Sequence, residues 1–365
     1  MFYHLLVPLQ KYVSFLRLFQ YITFRSLYAA VTALLFVLVF GNLIIGWLRN
    51  LKFKEEIRAL GPDSHKAKAG TPTMGGVIIL GAILFSSMLW SNLLNLYNIV
   101  LMSATLLLGA VGFADDYIKA ILKRKDGMPG RMKLFFQILI ALAAVLIIYF
   151  NPSNGEFTTK VFIPFISKVD SNSLIDLGIF WIVFGAVTIV GSSNAVNLTD
   201  GLDGLAIGSV LIVSVTLGII SYLTGLAPVA AYLNIPHIPD AGEISVFIAA
   251  LAGASLGFLW FNSNPASVFM GDTGSLALGG IIGLIAVMIK KELLLFIVGG
   301  VFVIETVSVI IQVGYYKLRK KRIFKMAPIH HHFELSGWSE QKVVVRLWII
   351  GIILALIGIS TLKIL

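Results

Sequence analysis

Apolar runs of roughly 17–25 residues, long enough to cross a hydrocarbon core as helix, alternate with polar patches along almost the whole chain. Ten are readable: 26–48, 73–91, 96–114, 134–150, 175–193, 205–223, 244–261, 275–290, 293–316 and 344–362. Three are marginal. The second and third are parted only by the patch from Ser91 to Asn98, the eighth and ninth only by Lys290-Lys291-Glu292, and the fourth is short. The pattern predicts an all-α polytopic membrane protein of about ten transmembrane helices, a single integral membrane domain over 1–365. No internal repeat, low-complexity stretch or soluble domain interrupts it. Residues 1–24, with Lys11 and Arg17 among aromatics, read equally as an interfacial helix or as a leader to the first span. The first ten hold no Lys or Arg, which argues against a cleavable signal.

Composition sharpens the class. Of 365 residues, 58% are hydrophobic and 13% charged, at a mean hydropathy of +0.93, a balance foreign to soluble domains of this size. The absence of cysteine removes disulfides and thiolate metal sites. Basic residues outnumber acidic ones, 28 to 18. In such a chain that excess points to anionic lipid beside cytoplasmic loops, not to nucleic acid.

The distribution of charge assigns sides. Segments 49–72, 115–133 and 317–346 hold six, six and eight of the 28 basic residues. With ten spans all three fall on one side. The positive-inside rule makes that side the cytoplasm and places both termini outside. The same parity brings loops 194–204 and 262–274 to the cytoplasmic face, with Asp200, Asp203 and Asp272 but no Lys or Arg. The outer loops 151–174 and 224–243 carry no charge cluster, and TTKVFIPF in the first reads as a short hairpin.

The polar constellations carry the chemistry. Asp115 and Asp116 end the third run. Adjacent carboxylates repel and need cations or a shared proton in a partly dry site, so they suit Mg²⁺ and phosphate. Lys119, one helical turn on, would supply charge. The plainer alternative is a helix end meeting water. Gly271-Asp272-Thr273-Gly274-Ser275 opens the eighth run. Free N–H groups there form an anion site, Asp272 would hold Mg²⁺ against a phosphate, and Thr273 or Ser275 would cap the helix; an ordinary capped start is the alternative.

Asn194, Asn197, Asp200 and Asp203 follow the fifth run. A spacing of three aligns the last three on one helix face, whereas Gly201 and Gly204 argue for a turn. Asn197-Leu198-Thr199 matches a glycosylation sequon, which a cytoplasmic loop does not use. His330-His331-His332 looks like a metal site, yet three consecutive residues on a helix point three ways. In a loop they would offer donors to phosphate beside the basic run Lys317 to Lys325. Lys68 and the segment Thr71 to Gly76 suit an anion at the second run. Glu305 and Gln312, seven apart in the ninth, share a face, and a buried Glu there requires a partner. Together these describe a cytoplasmic-face site for Mg²⁺ and a large polyanion.

TPTMGG (71–76), Asp115-Asp116, NLTDGLDG (197–204), FMGDTGS (269–275) and APIHHHFE (327–334), in this order, resemble the polyprenyl-phosphate N-acetylhexosamine-1-phosphate transferase superfamily. Within it they look like the phospho-N-acetylmuramoyl-pentapeptide transferase family, over essentially the whole chain. The triple histidine is the most specific piece. The resemblance implies transfer of phospho-N-acetylmuramoyl-pentapeptide from its UDP carrier to undecaprenyl phosphate, with UMP and the first lipid intermediate of peptidoglycan as products. It also implies Mg²⁺ as cofactor, a homodimer and a place in the bacterial inner membrane. It makes Asp115, Asp116 and Asp272 catalytic, with Asp272, then Asp116, as metal ligands. Lys68, Thr73, Lys119, Lys133, Asn194, Asn197, Asp200, Asp203, Phe269, Ser275, Gln312, His330, His331 and His332 would bind substrate, Phe269 by stacking on uracil.

The expected route is direct attack by the lipid phosphate, with Asp115 orienting or deprotonating it; the rival passes through a phospho-aspartyl enzyme. The alternative within the superfamily transfers N-acetylglucosamine-1-phosphate to the same lipid and lacks the triple histidine. A transporter would need polar residues at mid-membrane and on both faces, where this chain has only Glu305 and Gln312 deep in a span.

Overall fold

The computed structural model describes residues 1–51, 70–124, 127–166 and 174–363, without the side chains of 152–154. The predicted runs appear as α1 (Ile22–Asn50), α2 (Gly76–Trp90), α3 (Leu96–Ala120), α4 (Gly130–Tyr149), α5 (Phe180–Thr199), α6 (Leu205–Thr224), α7 (Ala241–Asn262), α8 (Gly271–Met288), α9 (Gly300–Arg319) and α10 (Glu340–Ser360). Among the described residues, nine are long and apolar enough to cross a membrane; α2, with 15 residues, is shorter than its predicted run. The chain is thus an all-α polytopic membrane protein.

Three boundaries depart from the apolar runs in ways that matter to the site. Helix α3 continues to Ala120, so Asp115, Asp116 and Lys119 stand on helix rather than on a loop. Helix α5 continues to Thr199, so Asn194 and Asn197 are helical, while the chain turns over Asp200 to Gly204. Gly204, at φ 79°, takes the left-handed conformation that opens α6. The glycines therefore prevail over the three-residue stripe beyond Asn197. The ninth run splits into a short helix, Glu292–Val298, and α9, with a break at Gly299. A Cβ on Gly300 would come 2.6 Å from Leu354 of α10, so the break lets the chain pass close to that helix.

Helix α8 is the axis of the bundle. Every residue from Thr273 to Met288 is buried, with α3 and α5 packed against it and α7 packed between α1 and α6. By contrast α1, α9 and α10 turn Leu27, Leu35, Leu43, Ile310 and Leu356 outward, as a lipid-facing rim requires.

The N-terminal segment forms short helical turns docked on α2 through Phe2 and Phe19 against Trp90, so it is a packed element and not a loose leader. Arg25 is buried beneath it. It is held by Glu243 of α7 at 2.8 and 2.6 Å and by the Tyr3 ring at 4.5 Å. The expected hairpin is a two-residue antiparallel pairing, with Lys160 opposite Asp176 and Val161 opposite Ile175.

Candidate active site

The motifs converge because glycines let backbones touch. The segment before α2 lies alongside the segment before α8. Phe269 N–H donates to the Pro72 carbonyl, Gly75 N–H to that of Phe269 and Gly76 N–H to that of Met270, each at 2.8 Å. A Cβ on Gly76 would fall 2.2 Å from the Gly274 nitrogen, and one on Gly112 of α3 would fall 2.2 Å from the Asp272 carbonyl oxygen. Gly271, at φ 72°, faces the Asp116 carboxylate and the Thr73 hydroxyl. The start of α8 is thus clasped by α2 and α3, with Thr73 beside Asp116.

Asp116 caps that helix start. Its Oδ1 accepts from Asp272 N–H at 3.1 Å, and its Oδ2 accepts from Thr273 N–H at 2.9 Å and the Thr273 hydroxyl at 2.7 Å. The expected caps, Thr273 and Ser275, act differently: Thr273 donates to Asp116, and the Ser275 hydroxyl bonds back to the Gly271 carbonyl at 2.9 Å. A cap contributed by another helix leaves no mark in local spacing.

Asp115 and Asp272 are tied by two ammonium groups. Lys119 Nζ is 2.6 Å from Asp115 Oδ2 and 3.0 Å from Asp272 Oδ2; Lys133 Nζ is 2.9 and 2.7 Å from the same atoms. Met128 N–H donates to Asp115 Oδ1 at 2.6 Å. Asn197 donates to Asp272 Oδ1 at 2.7 Å and to Ser275 Oγ at 2.8 Å. Asp115, Asp116 and Asp272 each offer an oxygen within 4.8 Å of the others. Hard carboxylate oxygens this close suit a divalent cation. The Asp272 side chain, 15% exposed against none for Asp115, is the more open of that pair.

The remaining predicted residues spread outward from this centre. Asn194 donates to Gln137 of α4 and to the Val190 carbonyl, both at 2.8 Å. Asp200 ends α5, half-buried. Asp203 is buried and accepts from Asn264 at 3.2 Å and Ala266 N–H at 3.0 Å, while its own N–H donates to Glu340 at 2.8 Å. It anchors the loop before α8. Phe269 is half-buried and its backbone joins the two clasped segments. Gln312 closes the turn after α9 through Ile323 and Phe324. Lys68 lies outside the described residues.

The three histidines, on the short helix Ile329–Glu334, take three different partners. His330 Nδ1 meets Glu305 at 2.9 Å, His331 Nδ1 meets Glu334 at 2.8 Å, and His332 accepts from Lys325 N–H at 3.2 Å. Glu305 thereby finds its partner in His330. His330 also packs against Gly201, where a Cβ would sit 2.3 Å from its Nε2, so the histidine segment rests on the 200–204 turn. Met128, Gln137, Asn264 and Glu340 entered the network without any motif to announce them.

Residues 98–290 match the family described as Glycosyl transferase family 4, which makes this helical membrane bundle, with carboxylates and lysines clustered at one end, a phospho-sugar transferase. Residues 68–80 match the phospho-N-acetylmuramoyl-pentapeptide-transferase signature 1. A phospho-N-acetylmuramoyl-pentapeptide-transferase of Thermodesulfovibrio yellowstonii is 51% identical over 364 residues, covering 100% of this chain and 99% of its own. Another, from Pelobacter propionicus, is 52% identical over 363 residues with the same coverage. The chain belongs to the phospho-N-acetylmuramoyl-pentapeptide-transferase family.

Proposed function

We propose that this enzyme transfers phospho-N-acetylmuramoyl-pentapeptide from UDP to undecaprenyl phosphate, at the cytoplasmic face of the bacterial inner membrane, releasing UMP. The observation that carries the chemistry is the pair of lysines bridging Asp115 and Asp272. Both substrates are anions, and two fixed ammonium groups beside a helix N-terminus are what two approaching phosphates need.

The donor set fits Mg²⁺, with Asp272 as first ligand and Asp116 beside it. Mg²⁺, when bound, supplies positive charge against the phosphates of the donor. The chain's own residues do the rest. Lys119 and Lys133 draw the lipid phosphate toward the donor. A phosphomonoester has a second pKa of about 6, so the acceptor is mostly dianionic at neutral pH and needs no strong base. One of its oxygens attacks the sugar-linked phosphorus. The bond from that phosphorus to the bridging oxygen breaks, and UMP leaves with the electron pair.

Two observations support a single displacement over a phospho-aspartyl route. Asp115 already accepts from Met128 N–H, Lys119 and Lys133, so it orients the lysines instead of attacking. Asp116 is committed to α8. Trapping a phosphorylated Asp115 or Asp116 in the absence of lipid would overturn this order of events.

An apolar groove of about 420 Å³ between α3 and α4, lined by Leu107, Val111, Ala114, Met128, Phe136 and Ile140, opens beside Asp115. Met128 belongs both to the groove and to the Asp115 hydrogen bond. The groove takes the first isoprene units of the acceptor, so that its phosphate meets the lysines. Lys119, Lys123, Arg124, Arg131 and Lys133 flanking the carboxylates support an orientation with this end toward the cytoplasm and both termini outside. The homodimer that the family resemblance implies belongs to the same reading.

The substrate is tested by supplying undecaprenyl phosphate with UDP-N-acetylmuramoyl-pentapeptide or UDP-N-acetylglucosamine. UMP release with the first alone is expected. Release with the second would assign the chain to N-acetylglucosamine-1-phosphate transfer.

A further inference from the structure

A second buried charged cluster stands at the opposite end of α8, roughly 27 Å from Asp272 at 1.5 Å of rise per residue. Lys290, Lys291 and Glu292 are exposed by only 0%, 7% and 1%. Two of them are accounted for by Trp181. The Lys290 ammonium lies 3.4 Å from the centre of its ring and donates to the Thr158 carbonyl at 2.5 Å. Glu292 accepts from the indole N–H at 3.0 Å. Lys291 has no hydrogen-bond acceptor among the described residues, and its ammonium lies 5.3 Å from the Phe162 ring centre. Among the described residues of this cluster, Glu292 is the one carboxylate set against two lysines, and it is already engaged by Trp181.

Lys291 lines a cavity of about 40 Å³ walled by Phe162, Pro164, Phe165, Asn234, Leu294 and Leu362. That is room for roughly three water-sized groups, a size that suits one tetrahedral anion. The rim is amphipathic. Phe165 on the wall is an exposed aromatic. Next to the lining Leu233 and Leu362 stand the exposed Tyr232 and Lys363, whose ammonium lies 3.9 Å from the Tyr232 ring centre and donates to the Tyr232 carbonyl at 2.6 Å. Exposed aromatics with lysine at a helix end mark the level of lipid headgroups.

We propose that this cavity binds the phosphate of an anionic phospholipid headgroup from the leaflet on that side, with Lys291 as its ion partner. Such an anion supplies the acceptor that Lys291 lacks among the described residues and keeps its acyl chains against the apolar rim. Burial lowers Lys291 to about 8, opposed by the Glu292 carboxylate, so an anion in the cavity also holds the ammonium in its charged form.

The test uses the full chain in detergent, stripped of lipid, with bound lipid counted by native mass spectrometry. No donor or acceptor is present, so the result is independent of the transfer reading. Wild type is expected to hold the first phosphatidylglycerol at least tenfold more tightly than phosphatidylcholine. Lys291→Gln is expected to lose that preference, with Lys291→Met serving if the first does not fold, and Lys291→Arg to keep it. Equal binding of the two lipids by wild type, or an unchanged preference in the charge-removing variants, overturns the proposal. Displacement of phosphatidylglycerol by millimolar inorganic phosphate would overturn the lipid assignment in favour of the free anion.

Discussion

Asp116 and Thr273 are 157 positions apart and joined twice: one carboxylate oxygen accepts from the Thr273 backbone N–H at 2.9 Å and from its hydroxyl at 2.7 Å. A capping acid normally comes from the residue at the helix start. Here it comes from a neighbouring membrane helix, so the first turn of α8, and with it Asp272, is aimed by α3. Thr273→Val removes one of these bonds and is expected to cost about 1 kcal/mol. Asp116→Ala removes all of them and is expected to cost on the order of 2–3 kcal/mol. Thermal unfolding in detergent measures both. Transfer activity is expected to fall in Asp116→Ala by more than the lost stability explains, because Asp272 is freed.

Lys119 and Lys133 share the same two carboxylate oxygens. A charged hydrogen bond is worth roughly 1.5–3 kcal/mol, so Lys119→Gln and Lys133→Gln should each lower kcat/KM by about ten- to a hundredfold. Groups that share partners do not add. The double variant should therefore lose less than the product of the single losses, which steady-state kinetics on all three variants reads directly.

The close approach of α3 to α8 predicts a sharp contrast between two glycines. A Cβ on Gly112 would lie 2.2 Å from the backbone oxygen of Asp272, whereas none of the surrounding atoms comes within 4 Å of one on Gly46. Gly112→Ala is expected to destabilise by about 1–3 kcal/mol and to abolish transfer. Gly46→Ala, on α1, should be neutral or stabilising by up to about 1 kcal/mol. Activity and unfolding of the two purified variants decide the point.

Glu305 and His330 are both fully buried, and their bond fixes the histidine segment on α9. Glu305→Ala strands the imidazole and is expected to cost about 1–3 kcal/mol. Because the three histidines serve three partners, His331→Ala and His332→Ala should leave Mg²⁺ affinity unchanged in calorimetric titration. A loss of the cation in either would contradict the separation of this segment from the carboxylates.

The groove between α3 and α4 makes its own prediction. Ala143 lines it, and Ala143→Phe should narrow it without touching the carboxylates. The KM for undecaprenyl phosphate is expected to rise severalfold while the KM for the UDP donor stays unchanged. A rise in both would remove the groove from the acceptor site.

Much of this architecture is legible in the chain because bilayer thickness imposes a length on apolar runs, and costly carboxylates such as Asp115 and Asp116 stand out at their ends. The i,i+4 bond from Lys119 to Asp115 also follows from local helical geometry. What the chain conceals is long-range. Nothing near Asp116 announces Thr273, nothing near Asp203 announces Asn264 or Glu340, and Glu305 acquires His330 only when α9 and the histidine segment pack. The short Glu292–Val298 helix was hidden for a related reason: an apolar run continues across Gly299 although the backbone does not.

In the proposed function the Asp272 cluster, in its Mg²⁺ form, carries the transfer. The most direct measurement is UMP release from UDP-N-acetylmuramoyl-pentapeptide and undecaprenyl phosphate by wild type and by Asp272→Asn of equal thermal stability, with and without Mg²⁺. Release by wild type only with Mg²⁺, and none by the variant in either condition, is the predicted result. A variant that turns over at the wild-type rate, or a wild type indifferent to Mg²⁺, would contradict it.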